Sequence, residues 1–313
     1  KECLYTEQSV LVSTSSATGL MEAGVRNLSK KKVANFVCGA FSKKQAAITR
    51  ACGLNQDVFE VEWGQAITAE HVNDVLSKGD YDLVTIVFNE TSTGVMNPLQ
   101  EIADVVNNYD DVLLMVDAVS GMMGAPIKID EWGVDMALAS VQKAWALPPG
   151  FAITSLSDRA LARSHSIPDA QKGFYFDFVR MHKAGEKSET PVTPSIPHLY
   201  GLSVQLDRIK AEGLENRFAR HREMADRVRD WGRDKFGLFA EPGYESDTLT
   251  CFNNDANIDL LALADAMKSK NYLISGGYGD LKGKTFRLAH MGDLKMADIN
   301  DVLDVLDGVI ETL

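Results

Sequence analysis

The chain has 313 residues, 45% hydrophobic and 8% aromatic, which is enough apolar material for a large core and too much for a disordered tail. Thirty-two Lys and Arg against forty-four Asp and Glu leave a net charge of -12. That balance argues against a nucleic-acid or membrane surface, although a local pocket can still take a small anion. At about 150 residues per domain the length suggests two domains. Cys3, Cys38, Cys52 and Cys251 show neither CxxC nor metal-ligand spacing and read as reduced, mostly buried thiols. No apolar run reaches membrane-spanning length and no charged-then-apolar leader opens the chain, so a cytoplasmic protein is expected.

From Ser9 onward, short apolar runs alternate with amphipathic stretches. Strands are expected at 10–13, 33–37, 58–61, 83–88, 112–116, 136–140 and 151–155. Helices are expected at 17–28, about 42–52, 69–76 and, opened by Pro98, 98–106. LVTIVF (83–88) and VLLMV (112–116) are continuously apolar, the pattern of strands buried on both faces. This order implies βαβ units and a mostly parallel sheet with helices on both faces. Residues 158–197 carry Pro168, Pro191, Pro194 and Pro197 with little periodicity and read as a long irregular segment. Residues 199–236 read as charged helix broken at Gly213. The remainder alternates strand (248–252, 285–289) and helix (260–267, 299–310), a smaller α+β unit. The expected division is 1–198, a large ligand-binding domain, and 199–313, a linking helix with a small C-terminal domain.

Three units carry chemistry. Asp117 ends the second apolar strand, where open α/β sheets bind ligands, although taken alone it reads more readily as a loop or capping aspartate. Lys143 follows the strand at 136–140 and precedes Pro148-Pro149-Gly150. A partly buried amine there has the lowered pKa that Schiff-base chemistry needs; a solvated loop lysine is the alternative. Ser15-Ser16-Ala17-Thr18-Gly19 forms a strand-to-helix turn that suits a phosphate, or only an N-cap. Together they suit pyridoxal phosphate. The lysine takes the aldehyde, the aspartate meets the pyridine nitrogen, and the turn holds the phosphate.

Five ordered blocks extend this reading: NETSTGVMNPL (89–99), VDAVSGMMGAPIKIDEWGVD (116–135), SVQKAWALPPG (140–150), TPVTPSIPHLY (190–200) and FRLAHMGD (286–293). In these the chain resembles the class V aminotransferases of pyridoxal-phosphate fold type I, in the alanine/serine–glyoxylate (or pyruvate) group. The resemblance implies a transaminase that moves an amino group from a small amino acid to a 2-oxo acid in a ping-pong cycle. It implies that Lys143 holds the cofactor and shuttles the proton, Asp117 partners the pyridine nitrogen, and Val119 packs under the ring. Thr91 would meet the phenolic oxygen and Phe41 would stack on the pyridine face. Ser16, Ala17, Thr18 and Gln142 would bind phosphate. Thr190 and Thr193 would reach the phosphate of a second subunit in a homodimer with shared active sites. Arg287 would fork the substrate carboxylate.

The family normally opens with a further N-terminal segment that lines the substrate pocket, and Ala17 and Thr18 stand where relatives carry Gly and a varied residue. The alternatives on this fold are a phosphoserine aminotransferase, which needs extra cations for a second phosphate, and a cysteine desulfurase or lyase. The latter needs a mobile-loop cysteine, and none lies between Cys52 and Cys251. No metal is expected. No second cation is evident for a distal carboxylate, and His290 is expected to be structural.

Overall fold

A computed structural model describes all of residues 1–313. In chain order the first half runs β1 (Ser9–Ser13), α1 (Ala17–Leu28), β2 (Val33–Val37), α2 (Ala40–Ala51), β3 (Gln56–Glu60), α3 (Ala69–Leu76) and β4 (Leu83–Val87). A short hairpin follows, β5 (Asn89–Glu90) with β6 (Val95–Met96), then α4 (Leu99–Val106), β7 (Leu113–Asp117), β8 (Met136–Ser140) and β9 (Ala152–Leu156). These build a seven-stranded sheet in the order β1-β9-β8-β7-β4-β2-β3. Strands β3, β2, β4, β7 and β8 run parallel; β9 is antiparallel to both β8 and β1. The expected mostly parallel α/β architecture is therefore present.

The apolar strands are buried on both faces because alternate residues feed two cores. Val84, Ile86, Leu114, Val116, Ala137 and Ala139 point into one core, which α3 and α4 cover. Leu83, Leu113, Met115, Met136 and Leu138 point into the other, under α1 and the helices that follow β9.

Residues 158–197 are more regular than expected. They form α5 (Asp158–His165), α6 (Asp169–Lys172) and α7 (Phe178–Gly185), with 186–195 the longest stretch left without helix. The prolines misled because they stand at helix starts: Pro168 is the N-cap of α6, and Pro197 lies in the first turn of α8 (Ile196–Glu212). Side-chain caps do the rest, with Ser157 accepting from Ala160 N–H and Asp177 from Val179 N–H.

After α8, α9 (Leu214–Phe236) leads to a three-stranded antiparallel sheet, β10 (Leu249–Asn253), β12 (Thr285–Ala289) and β11 (Ser275–Gly276), with α10 (Leu260–Ser269) and α11 (Met296–Ile310). Its own core includes Trp231, Phe236, Phe252, Phe286 and Leu303. Helix α9 approaches β10 closely because Gly232 has no side chain; a Cβ there would lie 2.3 Å from the Phe252 ring. The β5–β6 hairpin reaches this sheet in the same way: Gly94, at φ 75°, passes where a Cβ would meet Cys251 N at 3.0 Å.

One buried carboxylate staples several of these elements. Asp82, 2% exposed, accepts from the backbone N–H groups of Lys30, Lys31 and Lys32, from Ser29 Oγ, and from Arg163 Nη1 at 3.0 Å. Asp82→Ala should destabilise the protein by about 3 kcal/mol or more, because it leaves the half-buried Arg163 guanidinium without a carboxylate counterion and three backbone donors unpaired. The urea midpoint is the measurement, and a change below about 1 kcal/mol contradicts the stapling role.

Candidate active site

The ladder that joins β4, β7 and β8 sets Val87 opposite Asp117 and Asp117 opposite Leu138. The C-terminal ends of three strands therefore open side by side, and the loops leaving them share one cavity of about 220 Å³. Nine residues nominated from the sequence line it: Ser16, Ala17, Thr18, Phe41, Thr91, Asp117, Val119, Gln142 and Lys143. Residues that the sequence did not nominate also line it, notably Lys44, Asn89 and Ser140. Thr190 and Thr193 are not brought here. They lie in the segment beside edge strand β1, along a groove lined by Val10 and Val12.

Asp117 is 4% exposed and accepts one hydrogen bond, from Val119 N–H at 2.9 Å. Burial pushes its pKa up to about 7 against that hydrogen bond; Glu90 raises it further and Lys44 lowers it. Lys143 is half-buried, and desolvation first, then the charge of Arg287, holds its amine below the usual lysine range. The loop that carries it is fixed at both ends. Val141 N–H donates to Phe151 O, Leu147 N–H to Val141 O, and Ala146 takes a left-handed turn at φ 56° with its N–H on Lys143 O.

Helix α1 starts at the cavity without an acidic residue in its first turn. Ala17 N–H donates to Ser140 Oγ at 3.2 Å, and the N-cap Ser16 makes no side-chain cap, so the helix end faces the cavity with donors to spare. Phe41 is held from below by Glu90. This fully buried carboxylate accepts from Phe41 N–H, Ser42 N–H, Ser42 Oγ, Ser92 N–H and Ser92 Oγ, and so caps α2. That cap lies 49 residues beyond Phe41, which is why α2 begins at Ala40 and not near Ser42 as the local pattern suggested. Thr91 donates to Ser120 Oγ at 2.8 Å.

Arg287 projects from β12 to the cavity rim. Its Nη1 donates to Thr91 O at 2.9 Å and its Nε to Gly276 O at 3.1 Å. Carbonyls and an aromatic ring surround it, with no carboxylate in contact, so the guanidinium keeps a donor pair for an incoming anion. His290 is fully buried behind β12, bonded to Thr250 Oγ1 at 3.0 Å, and burial lowers its pKa to about 3. It does not line the cavity.

The second cation absent from the sequence reading is Lys44, whose Nζ lies 5.6 Å from the Phe41 ring centroid. It is one helical turn from Ala40, and an i, i+3 relation to Phe41 was the available signal. Asn89 was legible only as part of a motif: its Nδ2 donates to Ser120 Oγ and Thr248 Oγ1, and its buried Oδ1 has no partner.

These groups fit pyridoxal phosphate. A buried carboxyl short of donors suits a pyridinium N–H, a depressed amine suits an aldehyde, an open helix N-terminus suits a phosphate, and Phe41 and Val119 flank the space between them. Comparison with known proteins agrees. The class V aminotransferase family model matches residues 11–255. An uncharacterized aminotransferase of Methanocaldococcus jannaschii is 36% identical over 93% of this chain and 77% of its own. A serine–glyoxylate aminotransferase of Hyphomicrobium methylovorum is 33% identical over 94% of this chain and 75% of its own. Among solved structures, an alanine–glyoxylate aminotransferase from Nostoc sp. superposes with a TM-score of 0.93 at 26% identity, covering 99% of this chain and 84% of that one. Strand ends, cavity chemistry and sequence likeness converge: the chain belongs to the class V aminotransferases, pyridoxal-phosphate enzymes of fold type I.

Proposed function

We propose that this aminotransferase takes nitrogen from a small neutral amino acid, alanine or serine, and delivers it to glyoxylate or pyruvate. The observation that carries the reading is the meeting, in one cavity, of Lys143, Asp117 and the N-terminus of α1, with Arg287 at the rim. Bound pyridoxal phosphate supplies an aldehyde for the amino group and an electron-accepting ring. The protein's part follows from its own residues. Lys143, its amine held below the usual lysine range by desolvation, would hold the aldehyde and afterwards carry the proton at the substrate α-carbon. Asp117 keeps the pyridine nitrogen protonated, and the low-dielectric strand end strengthens that ion pair. Ser16, Ala17, Thr18 and Gln142 hold the phosphate. Phe41 and Val119 would flank the ring, and the Thr91 hydroxyl, held by Ser120 Oγ, would lie at its edge.

Arg287 orients the α-carboxylate shared by donor and acceptor. Lys44 lies against Phe41 and its charge favours the Asp117 carboxylate, and besides it and Lys143 no cation lines the cavity to take a distal anion. That placement favours small neutral donors over phosphoserine, the second reading on this fold. The reading includes a large domain over 1–198, a linking helix and small domain over 199–313, and a homodimer in which Thr190 and Thr193 face the neighbouring site. No helix is long and apolar enough to cross a membrane. Full activity of a monomer in light scattering contradicts the dimer.

A half-reaction screen tests the donor: alanine, serine, phosphoserine and aspartate are added in turn while the cofactor's absorbance is followed. Alanine or serine should react fastest, and a wide margin for phosphoserine or aspartate reverses the choice. Lys143→Ala should lose the visible band of the bound cofactor and more than about a thousandfold in kcat; near-normal turnover would sink the assignment.

Asp117 adds a test independent of turnover. Its pKa in the fold, about 7, lies above the ordinary aspartate value of 3.8, so the cofactor-free fold binds the extra proton. Its contribution is therefore intact below about pH 4 and is lost as the pH rises through about 7. In Asp117→Asn that loss should vanish: the Tm difference between variant and wild type should grow from pH 4 to 7 and then level. A difference that does not vary with pH refutes the assigned burial.

A further inference from the structure

Between β11 and β12 the small sheet sends a glycine-rich loop, Gly276 to Gly283, onto the N-terminal end of α2. It touches there at three points. The Tyr278 ring stacks on Phe41, with centroids 5.1 Å apart and planes inclined by 23°. Gly279, at φ 60°, lies beside Trp63 and Ala40 at ordinary van der Waals distance, a Cβ there being 3.5 Å from the indole. Asp280 Oδ2 lies 3.7 Å from Lys43 Nζ.

Tyr278 also meets Arg287, whose guanidinium carbon lies 5.9 Å from the centre of the tyrosine ring. A half-buried guanidinium without a carboxylate is held by what surrounds it: Thr91 O, Gly276 O and this aromatic face. Two of these three come from the loop itself. Phe41 lines the cavity and Tyr278 does not, so the tyrosine backs the phenylalanine from outside. Its hydroxyl makes no hydrogen bond within the chain, which leaves the ring face as the part in use.

We infer that Tyr278 is a positioning residue for the transamination site: wedged between Phe41 and Arg287, its ring sets the spacing between the surface that carries the cofactor and the fork that takes the substrate carboxylate. The inference rests on the assignment of Phe41 and Arg287 made above. Physically, a stacked aromatic pair and a cation over a π face both fix an interplanar distance while leaving the guanidinium edge free. The loop is anchored at Gly279 and Asp280, so the tyrosine transmits a placement set by the α2 end to a strand of the other sheet.

The test uses the holoenzyme with Tyr278→Ala, Tyr278→Phe and Arg287→Lys. Tyr278 is 44% exposed and belongs to none of the apolar cores, so its variants should fold. In Tyr278→Ala the KM of amino donor and of oxo acid should rise together by about tenfold, with kcat changed by less than about twofold. The dissociation constant of acetate, an unreactive carboxylate measured by calorimetry, should rise by the same factor. Tyr278→Phe should restore all three values. Unchanged KM and acetate affinity in Tyr278→Ala, while Arg287→Lys weakens both, would overturn the role of the tyrosine and leave Arg287 in place. A Tyr278→Phe that behaves like Tyr278→Ala would overturn the role of the ring. If Arg287→Lys binds acetate as the wild type does, the carboxylate assignment fails and the inference goes with it.

Discussion

Everything at the site depends on the parallel pairing of β4, β7 and β8. The three strands are buried on both faces, so their side chains are committed to two apolar cores. Polar groups can leave the sheet only where the ladder ends. The register puts Val87, Asp117 and Leu138 in line, and the loops beyond them deliver Asn89 and Thr91, Asp117, and Lys143 to one cavity. A one-residue slip in β7 would turn Asp117 to the opposite face and remove the one acid that lines the cavity.

Two buried carboxylates beside the cavity show the difference between a structural and a ligand-facing charge. Glu90 is wholly buried and accepts from five donors that cap α2 and hold Phe41. Asp117 is nearly as buried and accepts from one. Burial without donors costs free energy that the fold offsets elsewhere, and the shortfall is what a pyridinium partner would relieve. The site is thus less stable by itself than with its cofactor, a common property of preorganised sites.

The loops are held by a second charge, the guanidinium of Arg217, which is 1% exposed. It donates to Met123 O in the loop after β7 and to Ala144 O beside Lys143, and it pairs with Glu212 and Asp293. Asp293 follows β12, the strand that bears Arg287. His221, one turn further along α9, accepts from Gly292 N–H at 3.0 Å. One helix therefore ties the aspartate loop, the lysine loop and the carboxylate-binding strand together.

The sequence by itself determined the apolar strands, their alternation with helices, and the identities of Asp117, Lys143 and the α1 turn, because short-range periodicity and local residue chemistry report them directly. It also held the five motifs by which the family is known. Only the tertiary structure decided which side chains support these residues. Glu90 under Phe41, Lys44 beside Asp117, Ser140 on the first turn of α1 and Tyr278 on Phe41 are juxtapositions across 49 to 237 positions of chain. They follow from strand order and helix placement, which no local pattern encodes. The helices between Asp158 and Gly185 were hidden for the opposite reason. The one proline among them, Pro168, sits at a cap, and a proline at a helix start looks in sequence like one that ends a helix, until packing against α1 and β9 shows which side of it is wound.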